Sequence, residues 1–246
     1  MPAVRVVLVR PETGANVGAC ARVVRNAGLS GLDLVNPAEW RTVECWRTAW
    51  GAQDVLEQSR VFADLASAVG DATYAVALSG RPPDGQPVLD VREMAGEVAA
   101  LGERDRAALV FGPETTGLTR EEIVSCGRCA AIPADPSQPS LNLSHAVMVA
   151  AYEVFRGRGR TATGPRLATH AEKDATLDLL REGLLAIEAL PSRNTDAYFR
   201  RWRALVARTH LTRKELRLID HVARKMKQRG VAAKRNEVIG PTQERE

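Results

Sequence analysis

No stretch of eighteen consecutive apolar residues occurs in the 246-residue chain, so no helix long and apolar enough to cross a bilayer is expected. The opening MPAVRVVLVRPE has a short apolar run without the layout of a signal peptide and reads as a first β-strand; the expected compartment is the cytoplasm. Cysteine is scarce. Cys20, Cys45, Cys126 and Cys129 are the whole complement, and in a cytosolic chain they are expected as free thiols. Cys126 and Cys129 form C-G-R-C, but no second CxxC and no HxxxH is present to complete a zinc site. The pair is expected beside a helix-to-strand turn, with no metal. The four histidines, His145, His170, His210 and His221, show no metal-ligand spacing either.

Signatures of common ligand sites are missing too. After the first strand a dinucleotide fold would carry GxGxxG, but the chain reads ETGANVGAC. GxxxxGK(S/T) and GxSxG are both absent, which argues against a P-loop and an α/β-hydrolase. What is present is an ordinary globular composition, 45% apolar and 26% charged, with its charge unevenly placed. Residues 1–155 carry 13 Lys/Arg against 19 Asp/Glu; residues 156–246 carry 21 against 11. A basic tail on an acidic body suggests a polyanionic partner, most simply nucleic acid.

Hydrophobic patterning predicts strands at 3–9, 31–37, 73–79, 107–112 and 129–133. Helices are predicted over 16–27, closed by Gly28, over 61–69, 91–101 and 119–125, and from Leu143 onward. Thr119 with Glu122 makes a capping box. Residues 40–50, WRTVECWRTAW, read either way. Strands alternating with helices predict an α/β fold, a parallel sheet with helices on both faces. The Gly-, Pro- and Arg-rich stretch 158–170 reads as a linker between a body at 1–157 and a basic helical extension at 171–246. Its helices are predicted over 171–190, 196–208 and 213–229, with Thr195 and Thr212 as N-caps.

Four stretches leave the carboxyl ends of strands, where open parallel sheets bind ligands. They are Asn16–Arg22, Ser79-Gly80-Arg81, Phe111–Leu118 and Ile132–Asn142. In PSLNLSHAVMVAAYEVF, Ser140, Asn142 and Ser144 stand at the mouth of an apolar helix. They can cap its free N–H groups, hold a ligand there, or do both.

Taken together, Asn16, Gly18 and Arg22, the PETTGL stretch at 113–118 and the IPADPSQPSLNLS stretch resemble motifs one, two and three of the SpoU (TrmH-like) branch of the SPOUT RNA methyltransferases. Order and spacing agree across residues 4–155. Within the branch the chain is most similar to enzymes that methylate tRNA riboses, through WGAQDVLEQSRVFADLASAV, Ser79-Gly80-Arg81 and the basic extension. The resemblance implies a trefoil knot at the end of the catalytic domain, a homodimer and S-adenosylmethionine as cofactor. Ser79, Gly80, Arg81, Gly112, Ile132, Ser140, Leu141 and Asn142 match the cofactor contacts. Arg22 matches the catalytic arginine, with Asn16, Glu114, Ser140 and Asn142 also in catalytic positions; Asn16 reads equally as an N-cap. Arg22 and Arg25 on one helix face, and Arg200, Arg201 and Arg203 beside Tyr198, Phe199 and Trp202, are the candidate RNA contacts. The implied reaction is 2′-O-methylation of a tRNA anticodon-loop ribose. Ribosomal RNA is the alternative substrate, and a non-catalytic RNA-binding protein the alternative class.

Overall fold

Seven short apolar strands build one sheet: β1 (Ala3–Val9), β2 (Gly31–Val35), β3 (Arg60–Phe62), β4 (Tyr74–Leu78), β5 (Val88–Asp90), β6 (Arg106–Phe111) and β7 (Gly127–Ala131). Their order is β3-β2-β1-β6-β4-β7-β5, and each neighbouring pair is parallel. The computed structural model describes residues 2–157, 166–190 and 194–239, with side chains described as far as residue 232.

Strand side chains alternate between two cores, as the two-residue strand period requires. Val4, Val6, Leu8, Leu32, Leu34, Val76 and Leu109 face one way and pack under α1 (Gly14–Asn26), α5 (Val91–Ala99) and α7 (Leu143–Arg156). Val7, Val9, Val35, Ala75, Ala77 and Val110 face the other way, under α4 (Leu65–Val69) and α6 (Arg120–Cys126). Two short helices, α2 (Val43–Thr48) and α3 (Gln53–Glu57), lie outside α1.

The extension holds α8 (His170–Ala186), α9 (Thr195–Ala207) and α10 (Arg213–Ile239), closed around Leu177, Leu180, Val206 and Ala223. It docks on the α4 and α6 side. The His170 N–H donates to Ala72 O (2.9 Å) and the Ala171 N–H to Gly70 O (3.1 Å). Buried Lys173 donates to Thr209 O (2.8 Å) and Arg128 to Arg208 O, so two cations meet the negative end of α9.

Several sequence expectations change. Residues 61 and 62 of the predicted helix 61–69 belong to β3, because Arg60 pairs with Asp33 across the edge of β2; the helix starts only after Asp64, whose carboxylate caps the Ser67 N–H (2.8 Å). Residues 40–50 contain α2, capped by Thr42. Three-residue β5 is too short to show a period and was not expected. Asn194, in the left-handed conformation, takes the N-cap place expected of Thr195, whereas Thr212 caps its helix as expected and closes a capping box with Glu215. The first helix of the extension stops at Ala186 and the last runs on to Ile239. Residues 158–165 of the expected linker lie outside the described residues; Leu167 and Ala168 already pair with Thr212 and Leu211.

Asp33 is buried between two guanidiniums, Arg5 (2.6 Å) and Arg60 (2.8 Å). Burial pushes its carboxyl up, but the hydrogen bonds and charges of Arg60 and Arg5 outweigh that and hold it below the usual carboxylate range. A carboxyl depressed on folding stabilises the native state above its unfolded pKa, and that stabilisation is lost as pH falls through the folded value. The melting temperature should therefore hold level above about pH 5 and fall below roughly pH 4. Asp33→Asn should flatten that acid limb while lowering the melting temperature at neutral pH, as a thermal scan across pH reads directly.

Candidate active site

Strands β4, β6 and β7 end side by side, and the loops that leave them wall one cleft. Ser79, Gly80 and Arg81 follow β4; Gly112 to Leu118 follow β6; Ile132, Pro139, Ser140 and Leu141 follow β7. Leu78, Leu118, Ile132 and Leu141 give it apolar walls, and Ser79, Ser140 and Arg81 a polar rim. Gly112 is required by close approach: a Cβ there would lie 2.3 Å from Leu118 N and 2.4 Å from the Gly117 carbonyl carbon. Gly117 turns the loop back at φ +69°, a conformation costly for other residues. The Ser79 Oγ accepts from the Arg81 N–H (3.1 Å), and the Ser79 N–H donates to Ala130 O (3.0 Å), which fixes the first loop on β7.

A second polar cluster stands where α1, β6 and α7 meet. Asn16 Nδ2 donates to Glu114 Oε1 (2.7 Å), and Asn142 Nδ2 donates to Asn16 Oδ1 (3.2 Å). Glu114 also accepts from the Glu12 N–H (3.0 Å) and from Thr13 Oγ1 (3.3 Å). Thr115 Oγ1 donates in turn to the Glu12 carboxylate. Pro11-Glu12-Thr13 and Pro113-Glu114-Thr115 are the same tripeptide at the exits of two neighbouring parallel strands, β1 and β6, and they bind one another. Glu12, Thr13 and Thr115 were missed from the sequence. The repeated PET was the available signal, but only strand pairing gives it meaning.

The helix mouth divides its two duties between neighbours. Asn142 is the N-cap of α7: its Oδ1 accepts from the Ser144 N–H (2.9 Å) and from Ser144 Oγ (2.8 Å). Ser140 and Leu141 line the cleft, whereas Asn142 stands behind it and reaches Asn16. Asn16 is not an N-cap. Thr13 caps α1 by accepting from the Asn16 N–H (3.4 Å), which frees the Asn16 side chain for Glu114.

Arg22 and Arg25 lie elsewhere on α1 and do not line the cleft. Arg22 is exposed and has no hydrogen bond or ion pair with any described residue. Arg25 pairs with Asp54 of α3. On α9, Arg200 and Arg201 are exposed without a described partner, but Arg203 clamps α9 to α8 through Asp178 (2.6 Å) and Asp174 (3.5 Å). Phe199 is buried, with Arg181 of α8 over its ring. Cys20 sits under the site, its thiol pushed well up by burial and by the charge of Glu114, so it is inert as a nucleophile. Cys126 and Cys129 are buried free thiols at the turn from α6 to β7, and no metal-holding cluster occurs among the described residues.

The model of the SpoU rRNA Methylase family matches residues 3–152, the whole of the sheet and both polar clusters. The chain belongs to the SpoU methylase family. Among SpoU relatives, a tRNA (cytidine/uridine-2′-O-)-methyltransferase TrmJ of Klebsiella pneumoniae is 38% identical over 152 residues, 61% of this chain and 62% of that protein. A tRNA (cytidine/uridine/adenosine-2′-O-)-methyltransferase TrmJ of Pseudomonas aeruginosa is 40% identical over 153 residues, 61% of this chain and 60% of that one. The match thus spans somewhat under two thirds of those relatives. The crystal structure of TrmJ from Z. mobilis ZM4 superposes with TM-score 0.78 at 30% identity, over 92% of this chain and 99% of that one, so the likeness takes in the helical extension. The SpoU methyltransferase AviRb from Streptomyces viridochromogenes, solved in complex with AdoMet, shares the fold at TM-score 0.50 and 22% identity, over 63% of this chain and 60% of that one.

Proposed function

We propose that this chain is an RNA 2′-O-ribose methyltransferase that uses S-adenosylmethionine and acts on tRNA as a homodimer. One observation carries the reading: three loops from the carboxyl ends of adjacent strands close a single cleft, and the Asn16–Glu114–Asn142 cluster joins motifs one, two and three next to it. Three loops sharing one wall, with Gly80 close enough that a Cβ would lie 3.1 Å from Pro139 O, also support the knotted topology.

The lining fits the cofactor. Apolar walls from Ile132, Leu118 and Leu141 suit a flat heterocycle, Gly112 lets backbone approach it, and the Ser79 and Ser140 hydroxyls suit a ribose or an amino acid head. When bound, S-adenosylmethionine supplies a methyl group activated on a sulfonium. The residues of the chain must then do the rest: hold the RNA strand, orient the 2′-hydroxyl in line and stabilise the oxygen as its proton passes to solvent water. Arg22 is the group for the last task. A guanidinium stays charged, so it acts here by binding phosphate and stabilising the developing alkoxide rather than as an ordinary base. Glu114 positions Asn16, and Asn16 with Asn142 forms the floor on the RNA side.

Arg22 does not line the cleft of its own chain, and α7 beside α1 shows a half-exposed stripe of Met148, Tyr152 and Phe155 at helical spacing. A second copy seated on that stripe would cover it and bring the partner's Arg22 toward the cleft. Arg200 and Arg201 then extend the RNA path over the extension. Replacing both with alanine should make the dependence of log affinity for tRNA on log salt shallower by about 1.5 and leave cofactor affinity unchanged.

Radiolabelled S-adenosylmethionine offered with bulk tRNA and, in parallel, with ribosomal RNA tests the function. Label recovered as a 2′-O-methylated nucleotide of tRNA supports the proposal. Label only in ribosomal RNA replaces the substrate, and no label in either, with the cofactor bound, overturns the enzymatic reading.

A further inference from the structure

The stretch Trp40-Arg-Thr-Val-Glu-Cys-Trp46-Arg47-Thr-Ala-Trp50 crowds three tryptophans and two arginines into eleven residues. Trp40 is buried and Trp46 packs against the main core. Trp50 is 73% exposed and Val43, seven residues before it, 79%. With Arg47 they form a stripe at i, i+4 and i+7 along α2 and the turn that continues it.

The backbone beneath that stripe is fixed. A Cβ on Gly18 of α1 would lie 2.0 Å from Cys45 O, so α2 and α1 touch backbone to backbone, and Thr48 Oγ1 donates to Ala15 O (2.9 Å). Ala49 and Ala52, on either side of Trp50 and Gly51, are fully buried; the Ala52 N–H returns to Ala49 O (2.7 Å), and Gly51 closes the turn at φ +77°. The indole is therefore held out into water by a well-packed turn, an arrangement that nothing in the core requires.

Arginines from two helices stand near it. Gly18 meets Thr48, and Arg25 is paired with Asp54 just past the turn. Arg22 lies one helical turn beyond Gly18 on the same face of α1, which puts it alongside the Ala49–Ala52 turn. Arg22 and Arg47 are exposed with no described partner. Asp54, the carboxylate that follows the turn, is occupied by Arg25, and Glu44 lies one step round the helix from the stripe.

Resting on the RNA reading above, we infer that Trp50 is a stacking platform for an unpaired base of the substrate RNA, with Arg22 and Arg47 on the phosphates that flank it. An exposed indole with one exposed guanidinium three residues before it and another on α1, neither with a described partner, matches what single-stranded nucleic acid presents: a flat π-face bounded by negative charge. A duplex hides those faces, so the platform selects a loop. Because α2 is locked to the helix that carries Arg22, a base stacked on Trp50 sets the register in which the neighbouring ribose is presented.

Fluorescence anisotropy with a labelled single-stranded oligoribonucleotide, and with the same strand in a duplex, tests this without depending on turnover. Trp50→Ala should weaken single-strand binding about 10-fold, the loss of one stacked base, and Trp50→Phe should recover most of it while duplex binding changes little. Unchanged cofactor affinity in Trp50→Ala shows that the variant is folded. Wild-type affinity in Trp50→Ala overturns the inference, and so does sedimentation showing that this variant splits a wild-type dimer, since the patch would then be a protein interface. A wild type that binds the single strand but methylates nothing would sink the enzymatic reading and leave the platform standing; one that binds no RNA sinks both.

Discussion

Arg22→Ala should lower methyl transfer to tRNA by about 10²–10³-fold in kcat and leave the dissociation constant for S-adenosylmethionine unchanged. Arg22 is exposed and pairs with no described residue, so its loss removes no hydrogen bond or ion pair among the described residues. It does not line the cleft, so cofactor affinity has no reason to move. What is lost is charge at the reacting oxygen, which counts most in the transition state. Arg22→Lys should recover only part of the rate, because a point charge does not reproduce the planar two-pronged hold of a guanidinium on phosphate. Stopped turnover with normal cofactor binding supports the assignment; near-normal turnover in Arg22→Ala removes Arg22 from the chemistry.

Gly112→Ala should produce the opposite pattern, with cofactor affinity falling about 10- to 100-fold. The added methyl would lie 2.3 Å from Leu118 N and 2.4 Å from the Gly117 carbonyl carbon, and both obstacles are backbone that cannot rotate away. The loop after β6 must move, and with it Glu114 and the wall of the cleft. Calorimetric titration reads the loss, and a variant binding as tightly as wild type would show that this loop does not form the cofactor wall. The two variants together decide where Arg22 acts. Mixed dimers of Arg22→Ala and Gly112→Ala chains pair an intact cleft with an intact arginine only across the dimer. Activity recovered on mixing places Arg22 in the partner's cleft; no recovery places it in its own.

Strand positions were legible wherever short apolar runs stood between turn residues, as in AVRVVLV and AALVF, because parallel strands buried on both faces need continuous apolar runs. The helix mouth was legible as a cap or a ligand site, but not how the duties divide. Asn142 and Ser140 are both plausible caps by residue type, and only the direction of the chain entering α7 gives the cap to Asn142 and the cleft to Ser140. Arg203 looked like Arg200 and Arg201 in the sequence; the proximity of Asp178 on another helix makes it a clamp instead. β3 looked helical because its partner, Asp33 of β2, is distant in the chain.

The sequence by itself determined the parallel α/β architecture, the basic helical extension, the family and the three motifs that carry it, since each is written in local periodicity, composition or short fixed spacings. Tertiary structure alone decided that PET at 11–13 meets PET at 113–115, that Asn16 answers to Glu114 rather than to its own helix, that Arg22 stands outside the cleft, and that Trp50 faces water on a fixed turn. The first three depend on which groups become neighbours once strands distant in the chain lie side by side, and the last on the packing of α2 against α1; local spacing holds no record of either.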